Sequence, residues 1–373
     1  CSVGGPLALL AVVLPDAIGG RALDSAGLVL LAGSALFAAP LLIWWRFSEQ
    51  IASSGGLYAF TEAAVGRRGA MVQGGLWVIS YVLYVSYTVT QVVYDLLPVP
   101  FPGVRGNQGA IEVLLPVVLV LAIVLAERAV LWAMATLAVA QVALVIALGA
   151  SMLGHTVPSG SFRVGQHPGA VGRGIANTSL LFLCGGLPLF LGGEVAGGGR
   201  SLRRVIATTI AGVAALLVVT GFPLAAYADS GIAGLEMPGY VIALVTSGHT
   251  LALWVGAGAV ASVLGLVVAE FLALTRLLHA VTGATIRRIG LIVGAVAILA
   301  DIASVPDPDA VYDRMITPSL VALYLSQLIV FAGYGLYVHR RGRLGPLDLT
   351  VVLISCGLML FGLEVVISQQ TLI

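Results

Sequence analysis

The sequence has no lysine; all 18 of its basic residues are arginine. Charge of either sign is scarce, at 9% of 373 residues, against ~25% in a soluble domain. That is too little to cover a water-facing surface. The net charge is +1 with no long basic run, which excludes a nucleic-acid partner. Cysteine is nearly absent. Cys1, Cys184 and Cys356 are far apart and make neither a disulfide nor a metal pattern. No metal-ligand pair, nucleophile elbow or base-activated cysteine is visible, so neither an enzyme nor a cofactor is expected. No charged leader with a small-residue cleavage site opens the chain, so its first apolar segment does not read as a signal peptide.

What is present is apolar: 59% of residues are hydrophobic and the mean hydropathy is +1.06. Crossing the hydrocarbon takes ~20 such residues, and every backbone donor must then be satisfied internally. The expected fold class is an all-α membrane protein, a polytopic helical bundle. Eleven spans are predicted, at about 2–19, 26–47, 70–97, 110–126, 129–153, 171–195, 202–228, 241–273, 286–304, 315–338 and 348–369. The first is short, as if its beginning lay upstream of Cys1. With the N-terminus cytoplasmic, the inner loops hold thirteen arginines and the outer loops five. This is the bias expected of a multi-pass protein of the cell membrane.

The longest polar connection, 154–170, divides the chain into a first set of five spans (1–153) and a second (171–338), with 339–373 as an additional span. Five crossings are an odd number, so the second set is inverted relative to the first. Each set opens on an interrupted segment. The first reads Ser2, Val3, Gly4, Gly5, Pro6; the second reads Phe182, Leu183, Cys184, Gly185, Gly186, Leu187, Pro188. Glycine removes steric restraint and proline removes a donor, so helices break there. Broken backbone at membrane depth is tolerated where it is buried or lines a cavity. Matching breaks in two halves point to a transporter's substrate site, with discontinuous helices 1 and 6 in a 5+5 inverted repeat. A half-helix end suits a carboxylate and freed carbonyls suit an ammonium or a coupling cation, and an α-amino acid carries both groups. Either pair alone also reads as a close-packing surface.

Three motifs follow the breaks. Glu49 precedes Ser54, Gly55, Gly56, Leu57 and Tyr58, with Glu62 and Gly66 before span three. Glu194 and Val195 precede Ser201, Leu202, Arg203 and Arg204 after span six. Thr275, Arg276, Leu277, Leu278, His279 and Ala280 end span eight. The set resembles the amino acid–polyamine–organocation (APC) superfamily over spans one to ten. The Ser-Gly-Gly-x-Tyr element is fairly specific and the other two are degenerate. Gly193 and Gly197 to Gly199 stand where that family has Glu and Asn-Pro-Arg. The resemblance implies the leucine-transporter fold, with substrate between spans one, three, six and eight. By motif position Gly4 and Gly5 match the first break, and Cys184, Gly185 and Gly186 the second. Relatives commonly carry Glu where this chain has Gly186, which favours a small or apolar substrate side chain over a cationic one.

Span three adds Tyr81, Tyr84 and Tyr87 with Thr88 and Gln91. Residues three or four apart share a face, so Tyr84, Thr88 and Gln91 line a pocket or form a packing stripe. Glu270 lies in span eight, ~9 Å inward of Arg276. An ionisable group there is a functional hypothesis, either as a proton carrier or as a structural partner for an inner-face arginine. Ser262 is the single good hydroxyl for a sodium site facing the first break. Span five carries no charge, and the balance favours proton coupling or exchange. Asp95, Glu112, Glu127 and Asp301 lie near predicted span ends and are expected to be wet. Glu49 and Glu62 beside Arg46 and Arg67 are expected in an inner-face network.

The substrate-binding residues expected are therefore Ser2, Gly4, Gly5, Tyr84, Thr88, Cys184, Gly185 and Gly186, with Glu270 and Ser262 coupling to H+ or Na+. The function these imply is a secondary active transporter of amino acids or related small amines. Its partners are a small-molecule substrate and the lipid bilayer. A channel-like facilitator and a polyamine or organic amine transporter are the alternatives.

Overall fold

The computed structural model describes residues 5–154, 160–165 and 167–370, the side chains of 369 and 370 excepted. Among the described residues all regular structure is helical. Eight helices are long and apolar enough to cross a membrane, and Pro6–Ile18 and Pro238–Ser247 are shorter apolar helices. The chain is a multi-pass membrane protein.

Helix α1 (Pro6–Ile18) starts on Pro6, whose missing N–H costs nothing at a first turn, and contains a π-turn at Leu9–Val13. Next come α2 (Ala26–Gln50) and the short α3 (Leu57–Val65). Helix α4 (Arg67–Gln91) ends in a π-turn at Val92–Leu96. Predicted spans four and five are two helical segments that meet at a non-helical kink at Ala126 and together make up α5 (Gln108–Leu153). Predicted span six is α6 (Pro168–Leu180) followed by 3-10 turns over Leu181–Leu191, so the backbone changes winding where Cys184, Gly185 and Gly186 stand. The second half continues with α7 (Gly198–Gly221), the short α8 (Pro238–Ser247), α9 (His249–Thr282), α10 (Ile286–Ser304) and α11 (Pro308–Arg340). Helix α12 (Pro346–Gln370) closes the chain.

Two short helices recur at a matching spacing. Helices α3 and α8 start 181 residues apart, the spacing that separates Gly4 from Gly185. Each ends on a glycine that begins the next long helix. Gly66 has φ 84 and ψ 173, and Gly248 has φ 83 and ψ −175. A side chain is strained at such φ, so glycine makes both corners. Helices α1, α2, α6 and α7 form one packed group, while α4, α5, α9 and α10 form another, with α11 against α4 and α12 against α11 and α2. One apolar core runs through both groups.

Arginine pairs gather at one end of the bundle. Arg46 pairs with Asp348 and donates to the Tyr334 hydroxyl at 2.9 Å, while Arg203 pairs with Glu49. Of the residues expected in an inner-face network, Arg46 and Glu49 are thus in ion pairs, with partners on other helices.

Candidate functional site

Helix α9 carries the two expected coupling residues eight positions apart, about 12 Å along its axis. Ser262 is buried against α1. Its hydroxyl accepts from the Ala8 amide at 3.3 Å and donates to Gln141 Oε1 at 2.9 Å. Gly5 lies on the same spot, and a methyl group there would collide with Ser262 Oγ and Gln141 Oε1. Glycine is required because α1 starts here against α5 and α9. Below it opens a cavity of about 140 Å³ bordered by Gly5, Gln141, Thr209 and Ser262. Gln141 had no sequence signal beyond being polar in a charge-free span. Ser2 and Gly4 lie outside the described residues.

Glu270 is fully buried, and neither carboxyl oxygen has a hydrogen-bond partner. Tyr81, Tyr84 and Tyr87 of α4 and Cys184 of the α6 break all lie within its electrostatic range. Tyr84 and Cys184 are partly exposed, whereas Tyr81, Tyr87 and Thr88 are buried. The structural-partner alternative for Glu270 fails here. Arg276 is 2% exposed but pairs with Glu194 at 3.0 Å and with Glu127. Glu127, expected to be wet, is that arginine's partner.

The tyrosines belong to a ladder of rings. Tyr312 meets Tyr87 edge-on at 5.5 Å, Tyr87 lies 4.9 Å from Tyr84, and Tyr81 stacks on Trp77 at 4.0 Å. Trp77 reaches Phe190 at 4.4 Å, below the break. Residues 77, 81, 84 and 87 share a helix face, so the ladder follows from spacing alone. At its far end Tyr312 lines a cavity of about 260 Å³ with Gln91, Asp95, Asp309 and Asp313. This acidic vestibule lies at the end of the bundle opposite Arg276.

Gly185 and Gly186 are used differently from Cys184. A methyl on Gly185 would meet Ile210 at 2.9 Å, and one on Gly186 would meet Trp44 at 3.2 Å. Both glycines let neighbouring helices approach the break. Thr88 Oγ1 is buried without a hydrogen-bond partner. The arrangement therefore combines Cys184, Tyr84 and Glu270 at one centre and Gly5 with Ser262 at another. Glu112 and Asp301, expected to be wet, are 0% and 1% exposed. Each stands two or three residues inside a predicted span end, a depth the sequence leaves ambiguous.

No protein-family model matches the sequence, and no curated protein is similar to it at a significant level. Solved structures do match. Mhp1, a nucleobase-cation-symport-1 family transporter in a closed conformation with bromovinylhydantoin bound, is 13% identical with a TM-score of 0.61. The alignment covers 99% of this chain and 91% of that one. A manganese transporter of Eremococcus coleocola, in complex with an aromatic bis-isothiourea compound, is 13% identical with a TM-score of 0.57, covering 98% and 87%. At such identity the likeness establishes the fold. The chain has the leucine-transporter fold.

Proposed function

We propose that the chain is a secondary active transporter of amino acids or related small amines, working by alternating access. The observation that carries this reading is Glu270, a buried carboxyl with two unpartnered oxygens between the α6 break and the tyrosine ladder. A carboxylate flanked by aromatic faces attracts an ammonium group through charge and through the ring quadrupoles. In the same position a carboxyl exchanges a proton when substrate arrives or leaves. Backbone groups of Gly5, Gly185 and Gly186 supply the remaining polar contacts, and Tyr84, Thr88 and Cys184 shape the cavity. Matching breaks let one helix group rock against the other around a fixed site. Both solved neighbours are transporters by description, which supports the same use of this fold.

Proton coupling or exchange is favoured over sodium. The Ser262 hydroxyl is engaged on both sides, by the Ala8 amide and by Gln141. The arginine-rich end faces the cytoplasm by the positive-inside bias, so the acidic vestibule faces out. That vestibule favours a second reading, an organic cation without a carboxylate, because Asp95, Asp309 and Asp313 concentrate cations at the mouth.

Counterflow in liposomes tests both. Liposomes holding the full-length protein are loaded with unlabelled amino acids or organic amines, and accumulation of labelled solute is followed with and without a pH or sodium gradient. Saturable, pH-dependent exchange of a neutral amino acid supports the first reading. Exchange confined to amines lacking a carboxylate supports the second. Folded protein that accumulates neither under any gradient sinks both.

A further inference from the structure

A different face of α4 from the tyrosine ladder carries Ser86, Thr90 and Tyr94, spaced four residues apart. Against it lie two buried carboxyls, Glu112 of α5 and Asp301 of α10. Glu112 Oε1 accepts hydrogen bonds from Thr90 at 2.8 Å and from Ser304 at 2.5 Å. Its other oxygen has no partner, and neither oxygen of Asp301 has one. The two carboxyls are within electrostatic range of each other, and Tyr94 lies beside Glu112. Among the described residues no arginine or histidine pairs with either. Buried Arg276, by contrast, is paired with two carboxylates. Two like charges side by side in a low-dielectric interior require neutralisation, and the chain supplies no cation for it.

Access to the pair is built in. Thr90 and Tyr94 also line the acidic vestibule, together with Asp95, Asp309, Tyr312 and Asp313. Glu236 lies near Asp95, and Asp16 near Tyr312, adding to the negative field. A cation drawn into the vestibule reaches the same two side chains that touch Glu112. Every available donor atom in the cluster is oxygen, from two carboxyls and the hydroxyls of Thr90, Tyr94 and Ser304, which suits a hard cation and not a soft metal.

We infer that Glu112 and Asp301 form a second cation site, separate from the Glu270 centre, which takes one small hard cation, a proton or sodium, from the vestibule. Its occupant neutralises the pair and locks α4, α5 and α10 together. The site stands apart from the transport reading, because its occupancy is read as stability and needs no substrate.

The test follows thermal unfolding of the purified full chain in detergent, in a Glu270→Gln background so that the core carboxyl does not contribute. In one arm sodium replaces choline at constant pH and ionic strength; in the other, pH varies at constant sodium. A ligand that binds only the folded state raises Tm with its concentration, here by a few degrees for a chain of this size. Tm rising with sodium at fixed pH identifies sodium. Tm falling as pH rises at fixed sodium identifies a shared proton. Asp301→Asn and Glu112→Gln each abolish whichever response is found. Should both variants fail to fold, Asp95→Asn at the partly exposed mouth shifts the midpoint of the response several-fold towards higher cation concentration. Absence of both responses, or a response unchanged in these variants, overturns the site.

Discussion

Glu270 and Arg276 stand six residues apart on α9, both buried, and only one of them is partnered. Arg276 is clamped by Glu194 from the chain below the α6 break and by Glu127 just past the kink in α5. Those partners are 46% and 36% exposed, so the clamp sits where the bundle meets water. Glu270 is nearly two turns deeper and faces a cysteine and tyrosines. The contrast separates two uses of charge in one helix. A buried charge that holds the fold together brings its counter-charge with it. A buried charge left open is held in readiness for something that arrives from outside.

The sharpest way to break this comparison is to neutralise Glu270. Glu270→Gln is expected to lower transport about 30-fold or more, the ~2 kcal/mol or greater cost of losing one partner of a buried charge interaction, while Tm is unchanged or raised. Uptake of labelled substrate beside a melting curve checks both halves. An unchanged transport rate would make Glu270 a passive core residue.

The matching experiment on the other charge removes both clamps. Glu127→Gln with Glu194→Gln leaves a guanidinium buried without counter-charge. An uncompensated buried charge costs about 3–5 kcal/mol, and solvent at the half-exposed partners screens this to roughly 1–2 kcal/mol. The expected outcome is a lower Tm, opposite in sign to the Glu270 variant. Equal stability in the double variant would remove the structural role assigned to Arg276.

A smaller effect sharpens the same contrast at the first break. Ser262→Ala removes the acceptor of the Ala8 amide and the donor to Gln141. Loss of such hydrogen bonds costs about 1 kcal/mol each, so Tm falls modestly. If Ser262 is structural, the ion dependence of transport is retained. A transport rate that loses sodium dependence in this variant would instead restore Ser262 as a coupling ligand.

Much of this was legible in residue order. Apolar runs located the membrane helices, because lipid admits only backbone whose hydrogen bonds close internally. The Gly-Pro steps located the start of α1 at Pro6 and the change of winding at Cys184 to Gly186. The face expected to carry Tyr84, Thr88 and Gln91 is divided in the structure, with Thr88 buried and Gln91 lining the vestibule. Legibility failed where exposure depended on a neighbour. Glu112 and Asp301 sit close to helix ends, where an acid is ordinarily wet, and they are dry because α4, α5 and α10 close over them. Glu49 and Arg46 are neighbours in sequence, yet Arg203 and Asp348 take them in space.

Sequence by itself determined the class of this protein and the place where α6 gives way to 3-10 turns. Each of these is a local consequence of hydropathy, glycine and proline. Only the tertiary structure decided which charges are satisfied. Glu270, Glu112 and Asp301 differ from Glu127 and Glu194 by which helix packs beside them, and that is set by long-range contacts no local pattern encodes. Burial raises the free energy of an unpaired charge, so the carboxyls the packing leaves unpartnered are the ones poised to take up a cation.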